Sequence, residues 1–165
     1  MRGEPDDSAE QVTQLVAGER VTVEAERDGW ARIRTEYDYP GWARAEQFGD
    51  DPVGAARRFL GSPYEWGGMT ERGIDCSGLV HMAFRATGRT VPRDAHQQEA
   101  AATRIDESDL RPGDLVFFGE PGSADHVAFW LGDGRILHAT ARDELGVVEE
   151  PLANTGTTAV RYGRL

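Results

Sequence analysis

Hydrophobic and polar positions change rhythm along the chain. In the first stretch apolar residues fall in short runs of β type: Val21-Thr22-Val23-Glu24-Ala25, Trp30-Ala31-Arg32-Ile33-Arg34 and Gly41-Trp42-Ala43-Arg44. Turn signals separate them, at Ala17-Gly18-Glu19, Asp28-Gly29 and Tyr39-Pro40-Gly41. Short strands at this spacing predict a small β-barrel over residues 1–48. Residues 49–52, Gly49-Asp50-Asp51-Pro52, are polar and turn-forming and read as a linker. Residues 53–165 then mix two periods. Val53 to Leu60 reads as a short helix stopped at Gly61-Ser62-Pro63. A second helix is expected from Cys76 to about Thr87, closed by Gly88, with Leu79, Met82, Ala83 and Ala86 on one face. Leu115-Val116-Phe117-Phe118 reads as a buried strand after the turn Arg111-Pro112-Gly113-Asp114. His126 to Leu131 and Arg135 to Ala139 read as a hairpin around Gly132-Asp133-Gly134. Helices followed by antiparallel strands predict an α+β domain.

Composition narrows the function classes. A chain of 165 residues suits one small and one medium domain. The net charge of −11, with Arg scattered rather than gathered in a stripe, excludes a nucleic-acid partner. No stretch approaches the ~20 apolar residues of a membrane helix, so no membrane partner is expected. The start, Met1-Arg2-Gly3-Glu4-Pro5, lacks the apolar run of a secretory leader. As written the chain is expected in the cytoplasm; a truncated start would make it secreted. Nothing in the pattern sets an oligomeric state.

The lone cysteine excludes an intramolecular disulfide and focuses the chemistry. Cys76 lies in Gly73-Ile74-Asp75-Cys76-Ser77-Gly78, where a loop turns into the second helix. Free N–H groups and a partial positive charge at a helix start favour thiolate and can hold an oxyanion. Asp75 is placed to cap that turn, and its charge would oppose ionisation of the sulfur unless it points away. A nucleophile needs a base, and the base an orienting partner. Of the four histidines, His81 lies on the helix and reads as structural or exposed, and His96 as surface. His126 and His138 sit on the two hairpin strands. They share a sheet face, directly opposed, only with an odd-numbered loop or a bulge; a strict two-residue turn would separate them. One Cys and two His are also zinc ligands in kind, but no tight local motif accompanies them, so no metal is expected.

These residues resemble the NlpC-type cell-wall peptidases, which share a pared-down papain-like fold. The resemblance is carried by Gly61-Ser62-Pro63-Tyr64-Glu65-Trp66-Gly67-Gly68, Asp75-Cys76-Ser77-Gly78-Leu79-Val80, Pro92-Arg93, Gln97-Gln98, Leu110 to Phe118, His126 to Gly132 and Ile136-Leu137-His138-Ala139. It implies Cys76 as nucleophile, His126 as general base, His138 as the residue that orients it, and no cofactor. It places Tyr64 beside the nucleophile and gives Trp66 and Gly67-Gly68 structural roles. Asp94 departs from the family, where Ser or Thr is common. Residues 1–48 resemble a bacterial SH3-like domain through Asp28 to Ile33 and Tyr39 to Ala43, with the usual first strand missing, so the barrel is incomplete unless another segment fills it. The pairing resembles γ-D-glutamyl-L-diamino-acid endopeptidases, which act on murein peptides with a free N-terminal L-alanine. It implies that Asp75 and Ser77 bind the ammonium and that Tyr39, or Tyr37, closes the cleft. Two alternatives stand beside this: a secreted hydrolase of intact peptidoglycan, and a catalytically silent wall-binding module.

Overall fold

The computed structural model describes residues 1–15, 19–45, 51–157 and 160–165. The turn at Ala17-Gly18 and the linker residues Gly49-Asp50 lie outside them.

The first domain forms three antiparallel strands in sequence order, β1 (Val21–Arg27), β2 (Trp30–Thr35) and β3 (Pro40–Arg44). Among the described residues they form an open sheet. The inward positions Ala31, Ile33 and Ala43, with Met1, Leu15, Val21 and Ala45 packed on them, make its small core. The outer edge of β3 is met by the chain's own start. Arg2 exchanges backbone hydrogen bonds with Trp42, at 2.6 and 2.8 Å, and also bridges to Gln11.

The second domain begins with α1 (Pro52–Arg57). Asp51 and Pro52, read above as linker, are its cap and first residue: the Asp51 carboxylate accepts from the Val53 and Gly54 N–H groups. The hairpin β4 (Met69–Thr70) and β5 (Gly73–Ile74) leads into α2 (Cys76–Ala86), and α3 (Ala95–Ala101) follows. A six-stranded sheet then forms from β6 (Thr103–Ile105), β7 (Leu115–Glu120), β8 (Ser123–Gly132), β9 (Arg135–Thr140), β10 (Gly146–Pro151) and β11 (Val160–Arg164). Its order is β10-β9-β8-β7-β11-β6, with each neighbouring pair antiparallel.

The sheet has two unlike faces because side chains alternate along each strand. Leu115, Phe117, Val127, Phe129, Leu137, Ala139 and Val147 pack with Leu79, Val80, Ala83 and Phe84 of α2 in the main core. The opposite face carries Val116, Phe118, Ala128 and Ile136 in a smaller cluster with Trp130 and Tyr162. Burying a Leu- or Phe-sized side chain contributes about 1.5–3 kcal/mol, so the α2 contact fixes where the first turn of that helix sits.

Gly146, at the start of β10, has φ +66°, and a Cβ there would fall on the Ser62 carbonyl. Gly146→Ala therefore combines left-handed strain with a backbone clash. It is expected to destabilise the protein by about 3 kcal/mol or more, read as a lowered urea midpoint.

Candidate active site

Residue order brings the nucleophile to the head of a well-capped helix. Asp75 has extended backbone, and its Oδ1 accepts from the Gly78 N–H at 2.6 Å. Its Oδ2 accepts from the Gly67 N–H at 2.7 Å. Arg93 donates to both oxygens, at 2.9 and 2.8 Å, and also to Ser77 Oγ at 3.0 Å and the Gly68 carbonyl at 3.2 Å. Burial works to raise the Asp75 pKa, but the Arg93 bonds and the two backbone N–H groups outweigh it and hold the carboxyl below its usual range. The charge that would have opposed thiolate formation is therefore paired. It is also largely committed to the loop, with backbone and Arg93 donors on both of its oxygens.

Cys76 is 4 % exposed and packs in the core against the helix-facing side of the sheet. Burial pushes its thiol up to about 11, while the N–H groups of Val127, Ser77 and Cys76 itself favour the anion. The Val127 N–H can serve because the β8–β9 ladder stops at Phe129–Leu137, although both strands continue beyond that pair. The strands part there, and α2 brings its first residue to the gap.

His126 and His138 lie on the face of the sheet that carries Phe118, and His126 is the chain neighbour of Val127. His126 pairs with Phe118 across β7–β8, its ring centroid 5.1 Å from the Phe118 ring. The hairpin turn is the two-residue Asp133-Gly134, with φ +50° and +71°. Alone it would have split the histidines between faces, but a bulge between Trp130 and Gly132 shifts the register and restores the match. They are not directly opposed: the register Phe129–Leu137 places them diagonally. His126 Nε2 and His138 Nδ1 lie 2.7 Å apart. Burial lowers the His126 pKa to about 3, and His138 and Arg142 push the same way. Burial also lowers that of His138, against the raising effect of Glu150.

Behind His138 stands a pair that sequence reading missed. His138 Nε2 meets Glu150 Oε1 at 2.9 Å, and Arg142 Nη2 donates to both Glu150 oxygens at 2.6 Å. His138 thus stands between His126 on one side and an Arg142-bonded carboxyl on the other. Among the described residues no hydrogen bond joins His126 to Cys76; the directions of both shifts favour the neutral thiol and the neutral imidazole.

Tyr64 forms an isolated bridge with Ile74, and burial, then the neighbouring Cys76 and Asp75, raise its pKa. The structure thus groups Tyr64, Asp75, Cys76 and Ser77, and separately His126 with His138. Tyr39 is 41 % exposed, beside Tyr37, with its hydroxyl directed to the Val12 carbonyl at 3.5 Å. Among the described residues no hydrogen bond joins it to the second domain. Trp66, expected to pack, is 83 % exposed. It tips a loop whose next residue, Gly67, is held by Asp75, which leaves no wall for the ring. His81 is bonded to the Val91 carbonyl at 2.8 Å, and His96 is exposed. Asp94 caps α3 in a capping box with Gln97, and Gln98, fully buried, donates to the Ser77 and Pro92 carbonyls at 3.0 and 2.8 Å. Among the described residues no cluster of His, Cys, Asp or Glu forms a metal site.

A neutral resting thiol has a measurable signature. Alkylation of Cys76 by iodoacetamide is expected to climb steadily from pH 7 towards 10. A preformed thiolate–imidazolium pair would instead hold it level across that range.

Comparison with known proteins supplies the rest. A γ-D-glutamyl-L-lysine dipeptidyl-peptidase of Bacillus cereus is 39 % identical over 110 residues, 65 % of this chain and 33 % of that protein. The chain spans about a third of the length of the first curated relatives it matches. A solved NlpC/P60 family protein from Bacillus cereus, 28 % identical, superposes with a TM-score of 0.65 over 99 % of this chain and 59 % of its own. A Mycobacterium tuberculosis protein described as a non-catalytic NlpC/p60 domain adapted to peptidoglycan binding is 26 % identical, with a TM-score of 0.59 over 70 % of this chain and 95 % of its own. Residues 1–48 match the model of the bacterial dipeptidyl-peptidase SH3 domain. Residues 61–161 match the NlpC/P60 family model, and the chain belongs to that family.

Proposed function

We propose that the chain is a cysteine endopeptidase that cleaves the γ-D-glutamyl-L-diamino acid bond of murein peptides bearing a free N-terminal L-alanine. The observation that carries this reading is the chain of contacts from Glu150 through His138 to His126, whose neighbour Val127 turns its N–H to Cys76. In the proposed reaction His126 Nδ1 takes the Cys76 proton as sulfur attacks the γ-glutamyl carbonyl. The α2 N–H groups and Tyr64 receive the oxyanion. His126 then protonates the leaving amine, and water, activated by the same nitrogen, hydrolyses the thioester. No cofactor enters.

Recognition of the ammonium falls to Ser77 and Asp75 beside the nucleophile. Because Arg93 already donates to both Asp75 oxygens, the ammonium must replace one of those bonds or share Ser77 Oγ. The names of the Bacillus relatives support the substrate class.

The test is mass spectrometry of L-Ala-γ-D-Glu-L-diamino-acid peptides with free and with acetylated N-termini, using Cys76→Ser as control. Release of L-Ala-D-Glu from the free-amine peptide alone is the expected result. Equal cleavage of both removes the amine requirement. Cleavage of neither overturns the assignment and favours the silent, wall-binding reading, with which a neutral thiol lacking a hydrogen bond to His126 is also consistent.

A further inference from the structure

We propose that Glu150 and Arg142 are positioning residues that set the direction of the hydrogen-bond chain, so that His126 meets Cys76 with a bare Nδ1. This deepens the peptidase reading and rests on it.

Two linked imidazoles can order their protons in two ways. In one, each is protonated on Nε2, both bonds point towards Glu150, and His126 Nδ1 is a base. In the other, a protonated Glu150 donates to His138 Nε2, His138 donates from Nδ1, and His126 is left with its proton on Nδ1, where it cannot accept one. The chain of contacts, 2.7 Å between the imidazoles and 2.9 Å from His138 to Glu150, suits either order. What decides is the ionisation of Glu150. That carboxyl is 8 % exposed, so water alone would not keep it charged. Burial raises its pKa, but the Arg142 bonds, then His138, outweigh burial and bring it below the usual value.

The other charged groups nearby do not compete for that carboxylate. Arg142 comes from the short turn after β9 and also faces Asp143 at 3.8 Å. His138 comes from β9, with His126 behind it on β8, and Asp125 lines the same cavity of about 330 Å³ together with Thr140 and Arg142. Arg142 is further tied to the Asn154 carbonyl at 3.0 Å, which fixes its fork against the carboxylate.

The reach of the pair is electronic as well as geometric. When His126 takes the thiol proton, its new charge faces His138, whose far side is an anion. Burial alone would leave the imidazolium unsupported.

The experiment combines ¹⁵N NMR of histidine-labelled protein, which reads the protonated nitrogen of each ring, with the pH profile of kcat. In the wild type both rings are expected to be protonated on Nε2. Glu150→Gln can keep an oxygen at the His138-facing position and should retain that order, with a loss in kcat below about 10-fold. Glu150→Leu removes the acceptor; His138 should lose its Nε2–H preference, and kcat should fall about 10- to 100-fold with KM nearly unchanged. Arg142→Leu leaves Glu150 buried without its cation. Its acid limb should move to higher pH, and the tautomers should reverse across that limb. Unchanged ring protonation in Arg142→Leu through the acid limb, or in a folded Glu150→Leu, overturns the proposal. So does a kcat loss in either variant without a tautomer change, because that is the mark of a structural role only. Because the NMR arm needs no substrate, failure of the wild type to cleave any peptide would strike the peptidase assignment and leave the tautomer result standing.

Discussion

Replacing His126 by alanine is expected to lower kcat/KM on a γ-D-glutamyl peptide by about 10³- to 10⁴-fold, the upper range for a general acid–base group. At 1.36 kcal/mol per decade this is about 4–5.5 kcal/mol of transition-state stabilisation. The effect is large because the protein does not ionise the nucleophile in advance: burial pushes the thiol up to about 11. Attack therefore needs a base at the moment of reaction, and the His126 ring, neutral down to about pH 3, is available throughout the working range. Cys76→Ala should leave no activity above background. Product release followed by chromatography checks both variants, and a loss below about 10-fold for His126→Ala would assign the base to another group.

Arg93→Leu is expected to destabilise the fold by about 3 kcal/mol, the lower end for breaking a buried pair from one side. The lower end applies because the Arg93 side chain is 26 % exposed and the Asp75 carboxylate keeps its Gly67 and Gly78 bonds. The pH dependence follows from the direction of the Asp75 shift. Its folded pKa is depressed, so the stabilisation is present above the unfolded carboxylate pKa of about 3.9 and is lost as pH falls through the lower folded value. The gap in urea stability between wild type and variant should be full at pH 7 and smaller at pH 3. A gap under about 1 kcal/mol at pH 7 would show that the backbone caps hold the loop without Arg93.

What was legible in the sequence follows the physics of each element. The α2 helix could be read because Leu79, Met82 and Ala83 bury one stripe, and its start because Asp75 is a capping residue type. By contrast α3, Ala-His-Gln-Gln-Glu-Ala-Ala, buries only Ala95 and Gln98, so its periodicity is faint; the capping box of Asp94 and Gln97 was the signal that could have found it. The histidine pair was legible as a register problem, but its solution, a bulge within the hairpin, depends on packing that no local pattern records. Glu150 and Arg142 were invisible for the same reason. Glu150 lies on β10, a strand without clear alternation, and meets His138 only through the β9–β10 register that sets Val148 against it. The three strands of the first sheet were legible from their turn signals, whereas the Arg2–Trp42 bridge at its edge depended on the tertiary path of residues 1–15.

The central claim is that Cys76 forms a covalent acyl intermediate with the γ-glutamyl carbonyl. Rapid acid quench of the enzyme with L-Ala-γ-D-Glu-L-Lys, followed by intact and peptide-level mass spectrometry, tests it most directly. The account predicts an L-Ala-D-Glu acyl adduct on the peptide containing Cys76, absent in Cys76→Ala. Turnover without any adduct at Cys76, or an adduct on another residue, would contradict it.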